Sequence, residues 1–213
     1  MGFKLLQVGE PVLRGKARDL SREEILSAEI QTLIRHMHET LRDAPGVGLA
    51  APQIGEGIQL AVIEDLPEYS RDLPPEEVAA RERAPVPFHV IINPRIVFYG
   101  EQQVEFFEGC LSLEGFMALV PRSREVVVEC LDERAQAHSI RATGWRARIL
   151  QHEIDHLNGT IYIDRMNTRT FTSVENYKRY GAMPNSSEIS SNAECVTTTS
   201  TNPSSEDRRS GDL

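Results

Sequence analysis

Apolar positions recur at two different periods along the chain. From Ile30 through Leu33, Ile34, Met37 and Leu41 they return every three or four residues, the spacing of one helical face. Ser21-Arg22-Glu23-Glu24 just before this stripe forms a capping box, in which Ser21 and Glu24 satisfy each other's orphan backbone donors. The pattern predicts one helix from Ser21 to about Arg42, ending before Ala44-Pro45-Gly46. Short runs of strand character follow at Gln59–Ile63, His89–Ile92, Arg95–Tyr99, Gln102–Phe107, Glu125–Leu131 and Ala137–Arg141, with a Pro- and charge-rich insertion from Glu64 to about Pro87. A second helix is expected from Thr143, its N-cap, to Asn158-Gly159, where Gly159 takes the left-handed terminal conformation; Tyr162 and Ile163 then return to extended structure. Consecutive strands joined by short turns predict antiparallel sheets and an α+β class, not alternating βαβ units.

Composition sharpens the domain picture. A chain of 213 residues can bury one good core. Its 40% hydrophobic content is low, and the deficit falls on the end of the chain. The expectation is one catalytic domain over residues 1–180 and a Ser/Thr-rich tail over 181–213, with too few large apolar residues to offset ordering entropy. A formal charge of −9 with scattered basic residues argues against direct DNA binding, because phosphate neutralisation needs clustered Lys and Arg. No run approaches the roughly 20 apolar residues of a membrane helix, so a soluble protein without membrane insertion is expected. Cys110, Cys130 and Cys195 are odd in number and widely spaced, which fits a reducing compartment; Cys130, on an alternating strand, reads as a small buried hydrophobe.

The strongest chemical signal is His152-Glu153-Ile154-Asp155-His156 in the second helix. Side chains four apart sit one turn from each other on one face, so both imidazoles can reach a single cation while Glu153, one step round, faces its open position. A catalytic centre of this kind takes three protein ligands, and His89, His138, several carboxylates and Cys110 all qualify as the third. Cys110 has local support from Gly109, which permits close backbone approach. His36 and His38 have no ligand partner at useful spacing and read as solvated or packed. Trp145 and Ile149 share the helical stripe of His152 and His156, so they either wall an apolar cavity beside the cation or serve as core. Val47-Gly48-Leu49-Ala50-Ala51-Pro52-Gln53-Ile54-Gly55 is a small-residue segment, but it lacks the Gly-Lys-Ser/Thr ending of a phosphate loop. Asp155 is expected to pair with an arginine such as Arg122.

Three segments, Gly46-Val47-Gly48-Leu49-Ala50-Ala51-Pro52-Gln53, Glu108-Gly109-Cys110-Leu111-Ser112 and Gln151-His152-Glu153-Ile154-Asp155-His156-Leu157, resemble the three signature motifs of the peptide deformylases, in that family's order. The resemblance covers roughly Leu5 to Thr172. It implies short antiparallel sheets packed around a central helix that carries the two histidines, plus an N-terminal helix. It also implies that Cys110, His152 and His156 hold one divalent metal per chain, with Fe(II) favoured and Zn(II), Ni(II) or Co(II) as alternatives. Glu153 would act as general base and then general acid, with the Gln53 side-chain amide and the Leu111 backbone N–H stabilising the oxyanion. Val47, Gly48 and Gly109 would take the backbone of an N-formyl-Met nascent peptide as an added strand. Trp145, the insertion and Arg169-Thr170-Phe171-Thr172 are more like the mitochondrial and plant subgroup. Met117 departs from the arginine carried by many bacterial members.

The substrate implies a transient ribosome contact, for which Thr170–Tyr180 is a candidate segment. Localisation is expected to be cytoplasmic, with a mature mitochondrial or plastid form as the alternative. Two other function classes compete. A zinc peptidase would use the same helix but leaves Glu108-Gly109-Cys110 without a role, and a structural-metal binding module leaves Glu153 without one.

Overall fold

The structure is a computed structural model that describes residues 2–181; the Ser/Thr-rich tail read above as disordered lies, from 182 onward, outside the described residues. Helix α1 (Arg22–Ile25) and helix α2 (Ala28–Asp43) come first, followed by β1 (Gly48–Ala50) and β2 (Leu60–Asp65). The insertion carries helix α3 (Pro75–Ala80). Then come β3 (Val86–Tyr99), β4 (Gln103–Cys110), β5 (Leu113–Ser123), β6 (Glu125–Leu131), β7 (Ala137–Thr143), helix α4 (Gly144–Leu157), β8 (Thr172–Ser173) and helix α5 (Val174–Tyr180).

All strand pairs are antiparallel, in a five-stranded sheet ordered β1-β2-β3-β6-β7 and a three-stranded sheet ordered β4-β5-β8. Alternation along β2 explains how the larger sheet is covered. Leu60 and Val62 join Ile34, Met37 and Leu41 of α2 on one face, whereas Ala61 and Ile63 join Ala147, Leu150 and Ile154 of α4 on the other. Every residue of β2 is therefore buried, and a strand covered on both faces reads as a continuous apolar run rather than an alternating one. Helix α4 is also covered on the side facing the smaller sheet, where Arg148 donates to the Val120 and Val104 carbonyls. Gln151 clips the helix to Ser123 by two hydrogen bonds, 3.1 and 2.8 Å. A helix enclosed in this way holds its side chains fixed, which suits it to carrying a site.

The structure corrects several sequence expectations. The single helix from Ser21 is two helices, because Ser27 starts a second N-cap, accepting from Ile30 N at 3.3 Å; the Ser21–Glu24 capping box is present in the first. Strands β1 and β5 were not expected: β1 is only three residues long, and Gly115 and Pro121 break the pattern of β5. The two strands expected at 89–92 and 95–99 are one, bent at a bulge where Asn93 takes φ of 51° and bonds both the N–H and the carbonyl of Leu20. Thr143 precedes α4 without a side-chain cap bond, and Tyr162–Asp164 is a 3-10 turn, not extended chain. Gly159 is left-handed as expected, with φ of 74°.

Candidate metal centre

Helix α4 and strand β4 build the site between them. Alternation on β4 puts Glu108 and Cys110 on the same face, toward α4, and the four-residue interval on α4 turns His152 and His156 toward them. One ligand atom from each of Cys110, His152 and His156 lies within 4.8 Å of the others. Cys110 Sγ is 3.1 Å from His156 Nε2 and also accepts from Ser112 N at 3.4 Å and Gln53 Nε2 at 3.6 Å. His89 and His138, the other imidazoles considered for the third ligand, are turned elsewhere: His89 Nδ1 sits 2.9 Å from the Pro87 carbonyl, and His138 Nε2 is 3.0 Å from Asp132.

Glu108 received no role in the sequence reading, although it sits two residues before Cys110. It anchors the centre. His152 Nδ1 donates to Glu108 Oε2 at 3.0 Å, which leaves the Nε2 side of the ring for the cluster. The same carboxylate accepts two bonds from Arg122, 3.0 and 2.9 Å, and one from Arg148 at 2.6 Å. Burial opposes ionisation of Glu108, but the bonds from His152 and Arg122 outweigh it and hold the carboxyl well below its usual range. Arg122 also pairs with Asp155, as the sequence suggested, and Arg165 completes that carboxylate with bonds of 2.6 and 2.7 Å.

The two histidines are driven in opposite directions. Burial disfavours the charged form of both, but contacts with Cys110 and Glu108 raise His152 well above its ordinary value, whereas His156 is pushed well below it by burial and by the neighbouring His152. A neutral imidazole is the ligand form. Glu153, 3% exposed, is pushed up to about 7 by burial, and its Oε2 has no hydrogen-bond partner. Gly48 makes room for this carboxylate, since a Cβ there would lie 2.2 Å from Glu153 Oε1. The glycine segment thus has a packing role beyond the one read from its sequence.

Around the cluster opens a cavity of about 820 Å³. Its lining includes the residues expected to act in catalysis or substrate binding, Val47, Gly48, Gln53, Gly109, Leu111, Trp145, Ile149 and Glu153, but not Met117 or Asp155, and it adds Tyr69 and Arg83 from the insertion. Gln53 is 2% exposed; its Oε1 accepts from Ala50 N at 2.9 Å and its Nε2 donates to Ser112 Oγ at 3.2 Å, so the amide is fixed with its nitrogen toward Cys110.

This arrangement defines a class: α+β proteins in which an enclosed helix supplies two histidines and a glutamate, and a neighbouring strand supplies the third candidate ligand. A family model for polypeptide deformylase matches residues 3–172. Peptide deformylase 1A, chloroplastic, of Solanum lycopersicum is 49% identical over 172 residues, covering 81% of this chain and 62% of that protein. Peptide deformylase, mitochondrial, of Homo sapiens is 43% identical over 169 residues, covering 79% of this chain and 69% of that protein. A crystal structure of the class I type b peptide deformylase of Acinetobacter baumannii, with Met-Ala-Ser bound to that protein, superposes with a TM-score of 0.70 at 28% identity, covering 78% of this chain and 99% of that one. The chain belongs to the polypeptide deformylase family. It spans 62% and 64% of the lengths of the tomato protein and of peptide deformylase 1A, chloroplastic/mitochondrial, of Arabidopsis thaliana.

Peptide deformylases use a single divalent metal, and the residues here fit one. One sulfur and two imidazole nitrogens converge, His152 is oriented by a carboxylate on its far nitrogen, and Glu153, which lines the same cavity, has a buried carboxylate oxygen without a partner. Among the described residues three candidate ligands converge, and a cation held by three protein ligands with a further position free is the pattern of catalytic sites.

Proposed function

We propose that the chain is a peptide deformylase, which hydrolyses the formamide at the N-terminus of formyl-methionyl nascent peptides to formate and a free amine. The observation that carries this reading is the convergence of Cys110, His152 and His156 beside the partnerless Oε2 of buried Glu153, inside a cavity large enough for a peptide's first residue. When bound, a divalent cation supplies Lewis-acid polarisation and lowers the pKa of a water toward about 7. Fe(II) is the favoured ion, with Zn(II), Ni(II) and Co(II) as alternatives that a mixed N/S donor set also accepts.

Glu153 takes the water's proton on its carboxylate and delivers it to the departing amine as the C–N bond breaks. A base held near neutrality by burial suits both transfers, and Glu153 lies in that range. Gln53 Nε2 and the Leu111 N–H donate to the developing oxyanion, each worth on the order of 3 kcal/mol of barrier. The substrate backbone lies along Val47, Gly48 and Gly109, and the methionine side chain fills the apolar end between Trp145 and Ile149.

In this reading residues 1–180 are the catalytic unit. Among the described residues no helix is long and apolar enough to cross a membrane. Relatives named chloroplastic or mitochondrial support an organellar form, while bacterial relatives of similar identity keep the cytoplasmic placement in play. The test is formate release from a formyl-Met tripeptide by protein loaded with Fe(II), Ni(II) or Co(II). Release is expected, and its absence with every ion contradicts the proposal.

A further inference from the structure

One wall of the cavity includes Trp145, whose indole Nε1 is buried without a hydrogen-bond partner. No polar anchor therefore fixes this ring, although it borders the space assigned above to the first side chain. Two cations face it instead. The guanidinium carbon of Arg81 lies 5.2 Å from the ring centroid and that of Arg83 lies 5.1 Å from it, both within cation–π range.

Both arginines belong to the insertion, and each is held by a carboxylate. Arg83 forms a two-bond fork, 2.9 and 2.8 Å, to Asp65 at the end of β2, a carboxylate that is 2% exposed. Arg81 pairs with Glu77 one turn back in the insertion and also lies 5.4 Å from the Phe106 ring. The turn that carries them rests directly on the first residue of α4. Gly144 has φ of 55°, and a Cβ there would come 2.5 Å from Glu82 Cβ and 2.9 Å from the Arg81 carbonyl oxygen. Glycine at this position lets the insertion dock against the helix that carries the histidines.

We propose that Arg81 and Arg83 are positioning residues for Trp145, and that through them the insertion sets which first side chains the cavity accepts. The proposal rests on the deformylase reading for its substrate, but the geometry of the clamp does not. With two guanidinium groups held against the ring the wall is stiff and the cavity keeps the width of an unbranched side chain. With the clamp removed Trp145 gains freedom to swing, and bulkier side chains enter.

The chain has a single tryptophan, so its fluorescence reports on Trp145 alone. Two variants are compared with the parent, each checked for folding by circular dichroism: Arg81→Met, and the pair Asp65→Asn with Arg83→Met, which avoids leaving a buried carboxylate unpaired. Acrylamide quenching of Trp145 is expected to rise about twofold with a red-shifted emission. The ratio of kcat/KM for formyl-Met over formyl-Phe tripeptides should fall about tenfold, mostly through KM, the scale of a one-methylene misfit in an apolar pocket. Arg83→Lys keeps the charge but loses the fork and the planar stack, and should restore only part of either signal.

Trp145 quenching at the parental value in both folded variants overturns the clamp. Altered quenching with unchanged selectivity overturns its link to specificity, as does altered selectivity with unchanged quenching. If the parent releases formate from neither peptide, the deformylase reading fails, and quenching alone decides whether the clamp exists.

Discussion

The floor and the outer wall of the cavity are built on different principles. At the floor, four charge-assisted hydrogen bonds converge on Glu108, from Arg122, Arg148 and His152, and all four residues are buried or nearly so. At the wall, the insertion is tied by two separate ion pairs, Arg42 with Glu64 and Arg83 with Asp65; both carboxylates are buried, but the two pairs share no member and Arg42 is half exposed. A buried charge network tolerates no missing member, because each group left behind has lost its water as well as its partner. The wall's pairs stand apart from one another, so loss of one is expected to cost the core less. This difference teaches where chemistry and where selectivity are expected to reside.

Four changes test that division, beginning with the largest. Glu153→Ala removes the carboxylate proposed to shuttle the proton, and formate release should fall by about 10²–10⁴-fold. Metal content, read by plasma mass spectrometry, should stay at one ion per chain, since Glu153 is not a ligand in this account. Arg122→Met leaves Glu108 and Asp155 short of a buried partner and should destabilise the fold by about 3–5 kcal/mol in urea titrations. A cost near that of an exposed pair would dissolve the distinction between floor and wall.

Gly48→Ala pushes against the Glu153 carboxylate, since the added carbon would meet Oε1 at 2.2 Å. A misplacement on the order of 1 Å typically costs about 10²-fold in rate, so kcat should drop while the urea midpoint stays close to that of the parent. The smallest effect belongs to the wall. Arg42 holds the Glu64 carboxyl below its ordinary value, and His38 adds to this against a modest burial penalty. A lowered folded-state pKa contributes stability above the unfolded value of about 4.3, which is lost as pH falls through the folded one. The melting-temperature gap between parent and Glu64→Gln should therefore be widest near neutrality and close below pH 4; a gap that persists in acid contradicts this.

The sequence made the floor more legible than the wall for a physical reason. His152, Glu153 and His156 lie on one helix, where a fixed period converts spacing directly into geometry, and Glu108 and Cys110 share a strand face by the same logic. Resemblance to a family then singled out Cys110 from several possible third ligands, which spacing could not do. Glu108 was visible in its motif, yet its part depends on Arg148 and on Arg122 from β5, a strand hidden by Gly115 and Pro121. Arg81 and Arg83 left no trace in the pattern of apolar positions. Their placement over Trp145 follows from how the insertion folds back onto Gly144, a contact between segments about 60 residues apart that no local periodicity encodes. The break at Ser27 was missed because a capping residue inside a continuing apolar stripe looks the same as a helical one until the backbone is seen.

The chemistry proposed for the floor depends on one cation held by a thiolate and two imidazoles. X-ray absorption on the zinc-loaded protein measures this directly. One sulfur at about 2.3 Å and two imidazole nitrogens at about 2.0–2.1 Å per metal are predicted, with the sulfur shell gone in Cys110→Ser. A metal shell of nitrogen and oxygen alone in the parent would contradict the account.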